Sequence, residues 1–193
     1  GVIPEEYRVE YVEDRTNTFS TAFLGLTMEC ARCHDHKYDP ISQEEHFELF
    51  SFFNNLDEKG LVSDKNEIPA PYLSLTQEDI DGVLAFVNAP ENTADQKAKT
   101  IDVMVMKDMS APRDTYILNR GVYNQPTEKV LPGTPDRVLE FSDELPKNRL
   151  GLAKWLFDEK NPLTARVAVN RLWQRFFGVG LVATSDDFGN QGS

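Results

Sequence analysis

The chain has 193 residues, of which 40% are hydrophobic and 27% are charged, a composition typical of a globular protein long enough to bury a core without disulfide bonds. Its formal net charge of -12 argues against nucleic acid as a partner, because phosphate neutralisation needs clustered lysine and arginine. No apolar run approaches the roughly 20 residues of a membrane-spanning helix, and because the chain lacks an initial methionine we expect an excerpt of a longer protein.

The N-terminal segment is predicted to be helical. Pro4 suits the first turn of a helix, and Val9, Val12 and Phe19 recur at helical spacing. A mixed apolar run follows up to residue 28, where Gly25 weakens a continuous helix without excluding one.

A second helix is predicted at residues 43–53. Ser42 and Glu45 form the sequence pattern of a capping box, which marks the start of a helix. The helix is unusually aromatic, and its phenylalanines are typical of a buried core, although they would also suit the edge of a porphyrin. The residues concerned are Phe47, Phe50 and Phe53.

The middle of the chain alternates between loops and short regular elements. Residues 54–70 are predicted to be a loop, and a capping pattern predicts a helix at residues 76–88. Residues 101–106 and 115–118 have strand character. Residues 123–135 contain three prolines and are predicted to be irregular.

The last third is predicted to be helical again. Asn148 can cap a helix at residues 149–157, and a longer helix is expected at residues 165–177. Gly178 then ends that helix as a left-handed cap.

The most informative motif is Cys30-Ala31-Arg32-Cys33-His34, which reads C-x-x-C-H and contains both cysteines of the chain. Two thiols at this spacing can add across the vinyl groups of a haem, and the adjacent histidine can then bind the iron. The motif therefore predicts haem c attached through Cys30 and Cys33, with His34 as the proximal iron ligand.

Two other chemistries use the same cysteines. A zinc site could be built from two thiolates and two imidazoles, although the spacing is unlike that of a usual zinc finger and His34 would remain unused. A redox-active dithiol or a disulfide would leave all three histidines unexplained. The residues available to zinc are Cys30, Cys33, His36 and His46.

An iron used for electron transfer normally has a second axial ligand, a methionine or a histidine. We predict Met106, which points to the same side of its strand as Met104, and we keep Met104 and His46 as alternatives. His36 is too close in sequence to His34 to reach the other face of the iron. A methionine that only fills the core is the competing interpretation.

Other polar residues have two interpretations each. Asp35, His36 and Asp39 either orient His34 or form the turn around Pro40. Four arginines can pair with haem propionates, but ordinary salt bridges to the abundant carboxylates are the simpler interpretation. These arginines are Arg113, Arg120, Arg166 and Arg171.

Three blocks of the chain resemble a known protein family. The first block is similar to the cytochrome c-type domain of large planctomycete surface or envelope proteins, the second to the segment that follows it, and the third to the start of the next, uncharacterised domain. The first contains FLGLT (23–27), CARCHDHKYDPIS (30–42) and FFNN (52–55); the second PRDT (112–115) and RGVY (120–123); the third RLGLAKWL (149–156), NPLTARVAVNR (161–171) and FGVGLV (177–182).

The resemblance implies a c-type cytochrome that is exported and matured outside the cytoplasm, in the periplasm or cell envelope. We expect a mainly α-helical fold with a small β element: a haem-binding domain at residues 1–75, a connecting region at 76–147 and the truncated start of a second helical domain at 148–193. The expected role is electron transfer or redox sensing, with an unknown redox partner and the remainder of the same polypeptide as partners. A basic redox partner would suit the acidic surface, which solubility alone also explains.

The alternative is a non-redox structural or carbohydrate-associated module whose Cys/His cluster binds zinc or no metal. Catalysis by a Ser-His-Asp triad is not indicated, because the chain lacks a nucleophile-elbow motif.

Overall fold

The fold begins with a pair of helices, α1 (Pro4–Phe19) and α2 (Gln43–Asn54). The computed structural model describes residues 2–61, 71–86 and 100–193. As predicted, α1 starts at Pro4, whose missing N–H would have no helical partner in the first turn. The helix runs on into a π-helical turn, Ser20–Leu24, which ends at Gly25 with a left-handed φ of +61°.

The capping box predicted for α2 is present. The Ser42 hydroxyl accepts a hydrogen bond from the Glu45 N–H at 3.1 Å, and Glu45 Oε2 accepts one from the Ser42 N–H at 2.7 Å. These bonds satisfy backbone donors that the helix itself leaves unpaired. The phenylalanines of α2 are buried with the apolar face of α1, which confirms their interpretation as core; they include Phe47, Phe50, Phe52 and Phe53.

The described residues contain two antiparallel, two-stranded sheets. Strand β1 (Tyr72–Thr76) pairs with β2 (Thr100–Met104), and β3 (Thr115–Leu118) pairs with β4 (Pro126–Val130). The strands predicted at 101–106 and 115–118 are therefore confirmed in type. The prediction of irregular structure across residues 123–135 is wrong for β4, because a proline at the first position of an edge strand costs no ladder hydrogen bond.

Helix α3 (Gln77–Phe86) follows β1 directly. Its start has the predicted cap, since the Asp79 side chain accepts hydrogen bonds from both the N–H and the hydroxyl of Thr76. The ends of the loop predicted at 54–70 and of the helix predicted at 76–88 lie outside the described residues.

Helices α4 (Arg149–Leu156) and α5 (Thr164–Phe177) form the C-terminal part. The Asn148 side chain caps α4 as predicted, by accepting from the N–H groups of the second and third helical residues. Gly178 ends α5 with the expected positive φ of +85°, but its ψ of -33° lies outside the left-handed helical region, so the predicted αL cap is wrong in detail.

The C-terminal residues return to the N-terminal helices. The Phe188 N–H donates to the carbonyl of Gly25 at 2.7 Å, and Arg171 donates to the carbonyl of Thr21 at 2.9 Å. The Asn190 N–H donates to Asp39 Oδ1 at 2.7 Å. Residues 188–190 therefore bind both flanks of the segment that carries the cysteines.

Helix α5 buries only one side. Val167 and Asn170 are buried, whereas the other side exposes an apolar surface that we call the α5 face. Trp173 and Phe177 stack on it with ring centroids 4.2 Å apart. The α5 face consists of Val169, Leu172, Trp173, Phe176 and Phe177.

The architecture agrees with a mainly α-helical chain with a small β element. Among the residues that the structure describes, no helix has the length and apolar character to cross a membrane.

Candidate functional site

The cysteine motif forms a short 3₁₀ turn, Glu29–Arg32, followed by Cys33. Cys30 and Cys33 are free thiols exposed to solvent, and the N–H of Cys33 donates to the carbonyl of Cys30 at 3.3 Å. Ala31 between them is fully buried in the core. The small buried residue fixes the turn to the protein and leaves both thiols outside, where they can react.

Arg32 ties this turn to three parts of the fold. Its guanidinium donates to Glu10 on α1 at 2.9 Å and to the carbonyl of Gly121 at 3.0 Å. Its own carbonyl accepts from the side chain of Gln43 at the start of α2 at 2.8 Å. The hydrogen bond between the Arg32 guanidinium and the Glu10 carboxylate lowers the pKa of Glu10 and raises the pKa of Arg32.

The turn at Asn119–Gly121 packs against the cysteine turn. Arg120 has a left-handed conformation, with φ +51° and ψ +33°, and Gly121 follows with φ +70°. The carbonyl of Arg120 accepts from the Cys33 thiol at 3.3 Å. The conformation that favours glycine or asparagine is thus adopted by an arginine directly beside one of the cysteines.

Both cysteines line an open cleft of about 600 Å³, here called the cysteine cleft. Its walls come from α1, from the cysteine turn and from the turn at Arg120. The lining side chains are polar apart from the cysteines, and the aromatic residues of α2 lie in the core instead of facing the cleft. The expectation that these aromatics form a porphyrin wall therefore finds no support. The lining residues include Glu10, Glu13, Asp14, Glu29, Arg32 and Arg120.

His34 lies just beyond the second cysteine and is exposed. Its Nδ1 is 2.7 Å from the carbonyl oxygen of Asp35, which fits an N–H at Nδ1 and leaves the lone pair of Nε2 available to a ligand or metal. The Asp35 carboxylate in turn accepts from the backbone N–H of Gln43 at 2.8 Å. Asp35 therefore orients His34 through its main chain, whereas its side chain holds the loop to α2.

His36 and Asp39 serve the loop that follows. Nδ1 of His36 accepts from the Asp39 N–H at 2.9 Å, and Asp39 also binds the C-terminal segment through Asn190. This arrangement favours the interpretation of these two residues as turn residues.

Sequence reasoning missed Glu13. His46 is completely buried, and its Nε2 lies 2.9 Å from Glu13 Oε2. The other polar atoms of the pair, His46 Nδ1 and Glu13 Oε1, have no hydrogen-bond partner among the described residues. The sequence does contain a signal for this pair. Glu13 shares the buried face of α1 with Val9 and Val12, and a carboxylate buried on such a face requires a polar partner.

The candidates for the second iron ligand lie in different places. Met104 and Met106 are exposed on and just after β2. The segment after Met106 binds the C-terminal end of α2, where the Met109 N–H donates to Asn55, whereas the cysteine turn binds its N-terminal end. A helix of 12 residues is roughly 18 Å long. The segment that follows Met106 and the cysteine turn therefore lie at opposite ends of α2, and His46 already pairs with Glu13 in the core.

The four residues considered for zinc are not assembled. The cysteines are exposed, His46 is buried with Glu13, and His36 is bound to Asp39. Within residues 2–61, 71–86 and 100–193, no three histidine, cysteine, aspartate or glutamate side chains are grouped so that they could hold a metal ion.

A second polar cleft of about 580 Å³ is lined by the loop at Asp35, by the start of α2 and by Asp136. Burial raises the pKa of Glu48 there to about 7, and the neighbouring carboxylates of Glu44, Asp136 and Glu45 add to the shift. Carboxylates thus line both this cleft and the cysteine cleft.

Two family models match parts of the chain. Residues 1–58 match PSCyt2, described as a protein of unknown function (DUF1549). Residues 148–193 match PSD1, also described as a protein of unknown function (DUF1553). These matches agree with a chain composed of two different domains, and the name PSCyt2 hints at a cytochrome-like one. No curated protein and no solved structure matches the chain.

Proposed function

We propose that this chain is a c-type cytochrome module that binds one haem through Cys30 and Cys33 and uses it for electron transfer or redox sensing. The observation that carries the proposal is the pair of exposed thiols on one turn, directly followed by an exposed histidine. His34 is the proximal ligand in this proposal, because the contact of Nδ1 with the Asp35 carbonyl leaves Nε2 for the iron.

The residues present fit the donor chemistry of such a group. Two accessible thiols can form thioether bonds, and a haem held in this way would supply one-electron redox chemistry. The protein orients the donors by burying Ala31 and by binding Arg32 to α1, to α2 and to the turn at Gly121. The cleft wall is polar, so the proposal rests on these three donors and not on a dry pocket.

The proposal does not depend on a second axial ligand, for which the chain offers three candidates. Met106 is the residue predicted from sequence, with Met104 and His46 as alternatives. The segment after Met106 binds the C-terminal end of α2 through Met109, and His46 pairs with Glu13 in the core. An iron with one protein ligand and an open position is the simplest form of the proposal.

Extracytoplasmic localisation is likewise proposed. The support is the motif itself, because covalent haem attachment by dedicated maturation systems takes place outside the cytoplasm in the family that the chain resembles. Neither family description names a compartment or a cofactor.

The remainder of the same polypeptide is the partner that we propose for the α5 face. Leu172 and Phe176 are 61% and 80% exposed at adjacent positions of one helical stripe, which is typical of a surface that packs against another element. An unknown redox partner would bind elsewhere, near the cysteine turn.

The deciding experiment is production of the protein together with a haem-maturation system. We expect a Soret band that remains with the polypeptide after denaturation, is lost in a variant with both Cys30→Ala and Cys33→Ala, and is retained with altered axial ligation in His34→Ala. Asp14→Ala is the matched control, because Asp14 lines the same cleft but contributes no donor.

Absence of covalent haem in the parent protein would refute the proposal. One equivalent of tightly bound zinc in the same sample would then favour the competing structural module, and neither haem nor zinc would favour a module without a metal.

A further inference from the structure

The α5 face continues beyond the helix into a cleft. Asn170, which is 2% exposed, accepts from the Val182 N–H at 2.8 Å and donates to the Val182 carbonyl at 3.0 Å. These two hydrogen bonds hold the backbone after Gly180 against α5, and Leu181 stays 65% exposed. Leu181 and Val169 line an open, largely apolar cleft of about 440 Å³, here called the α5 cleft. The apolar surface is therefore a built groove that a buried side chain holds in place.

The charges around this groove have one sign. All 32 aspartate and glutamate residues of the chain lie outside residues 161–185, which contain three arginines and no lysine. Arg171 is bound within the fold, to Asp186 and to a backbone carbonyl. Arg166 and Arg175 are exposed, and at about 100° per residue they lie on opposite sides of the apolar stripe. The α5 face is thus a positively charged apolar surface on a chain whose net charge is -12.

The charges favour one of three kinds of partner for this surface. A second copy of the chain would place arginines against arginines, which repel each other. An anionic lipid surface suits aromatic residues and arginines, but it repels a chain with a net charge of -12. A polypeptide segment that carries aspartate or glutamate beside an apolar stripe meets neither objection. The exposed positions 169, 172, 173 and 176 recur at the spacing with which one helix packs on another, so a helical segment fits best.

We propose that an acidic amphipathic helix of the same polypeptide binds the α5 face. This inference rests on the proposal that the remainder of the polypeptide covers that face, and it names the chemistry of the covering segment. The apolar stripe of that helix packs on Leu172 and Phe176 and places a large apolar side chain in the α5 cleft. Its carboxylates pair with Arg175 at one edge and with Arg166, which lines the α5 cleft, at the other.

Carbodiimide coupling tests the pairing of charges, because this reagent joins a lysine amine to a carboxylate in contact with it. The test uses the full-length polypeptide with Arg166→Lys and Arg175→Lys, which keep both positive charges. We expect cross-links from positions 166 and 175 to aspartate or glutamate residues of one helical segment outside residues 1–193. Lys154, which is exposed on α4, is the internal control and should give no cross-link to that segment.

Hydroxyl-radical footprinting measures whether the face is covered. Trp173 and Phe176 are 40% and 80% exposed in the 193-residue chain, and we expect their rates of modification to be about fourfold lower in the full-length polypeptide. Arg166→Glu with Arg175→Glu sets like charges against the covering carboxylates and should return these rates to within about twofold of the 193-residue chain. Lys107→Glu with Lys154→Glu makes the same change in net charge outside α5 and should keep the protection.

The outcomes separate this inference from the proposal on which it rests. Equal protection in the two double variants, or no cross-link from positions 166 and 175, refutes the acidic helix, whereas coverage by the same polypeptide stands. Equal modification of Trp173 in the full-length polypeptide and in the 193-residue chain refutes both proposals about this face. Protection that requires phosphatidylglycerol vesicles indicates a lipid surface, and protection that rises with the concentration of the 193-residue chain indicates a second copy. Either result also refutes the acidic helix.

Discussion

Glu13→Ala removes the carboxylate that pairs with the buried ring of His46. Glu13 is 2% exposed and His46 is fully buried, and their side chains are joined by a 2.9 Å contact. A buried hydrogen bond to a carboxylate contributes roughly 1.5–3 kcal/mol, and the one lost methylene group adds about 0.8 kcal/mol. We therefore expect Glu13→Ala to lower the free energy of unfolding by about 3 kcal/mol.

Urea denaturation, followed by circular dichroism, measures this loss directly. For a chain of this length the midpoint of thermal unfolding should also fall by roughly 6–12 °C. Glu13→Gln keeps the shape and one polar contact to His46, so its loss should be about 1 kcal/mol. Asp14→Ala removes an exposed carboxylate from the next position of the same helix and should change stability by less than about 0.5 kcal/mol.

The two single variants and the double variant with His46→Leu complete a thermodynamic cycle. A coupling free energy of at least 1 kcal/mol is expected, because the two side chains contact each other inside the core. If Glu13→Ala behaves like Asp14→Ala, or if the cycle shows no coupling, the pair does not stabilise the fold and the reasoning is refuted.

Two further substitutions test other parts of the fold. Since the pKa of Glu48 is raised to about 7, the folded state favours its protonated form, and the stability of the wild-type protein should fall as the pH rises from about 4.5 through 7. Urea unfolding at pH 5 and pH 8 should show a smaller fall in stability for Glu48→Gln than for the wild type. An equal fall in the two proteins would contradict this prediction. Gly25→Ala places a side chain on a residue with φ +61° and brings its Cβ within 2.7 Å of the Phe188 ring, so it should cost roughly 1–3 kcal/mol and increase proteolysis near Phe188. Gly82→Ala is the control and should not destabilise the protein, because its Cβ would meet no described residue within 4 Å.

Local signals predicted the helices well. Pro4, the capping box at Ser42 and the Asn148 cap all mark helix starts. Pro4 lacks an N–H that the first turn would leave unpaired, and the Ser42 and Asn148 side chains accept from N–H groups within three residues of them. The burial of the α2 phenylalanines also follows from their spacing and hydrophobicity. These features depend on contacts close in sequence, which a single sequence records directly.

The strand partners and the site geometry were not predictable in this way. Strand β4 was missed because its sequence contains a proline and charged residues, and its pairing with β3 depends on contacts between strands. The turn at Arg120 lies 87 residues from Cys33, and no local pattern indicates that the two meet. The choice of Met106 followed strand periodicity and the family-like VMVM block (103–106), and neither can show that the segment after Met106 binds the C-terminal end of α2.

The C-terminal return has a consequence for the order in which this region closes. Gly25 and Asp39 stand on either side of the cysteine motif, and both are held by residues 188–190. Asp39 and Asn190 are 151 residues apart in sequence. At a synthesis rate of roughly 5–20 residues per second, the loop around the cysteines lacks its contacts with residues 188–190 for on the order of 10–30 s after it is synthesised. Any modification of Cys30 or Cys33 that needs this loop to be open would therefore occur most readily before residues 188–190 bind to it.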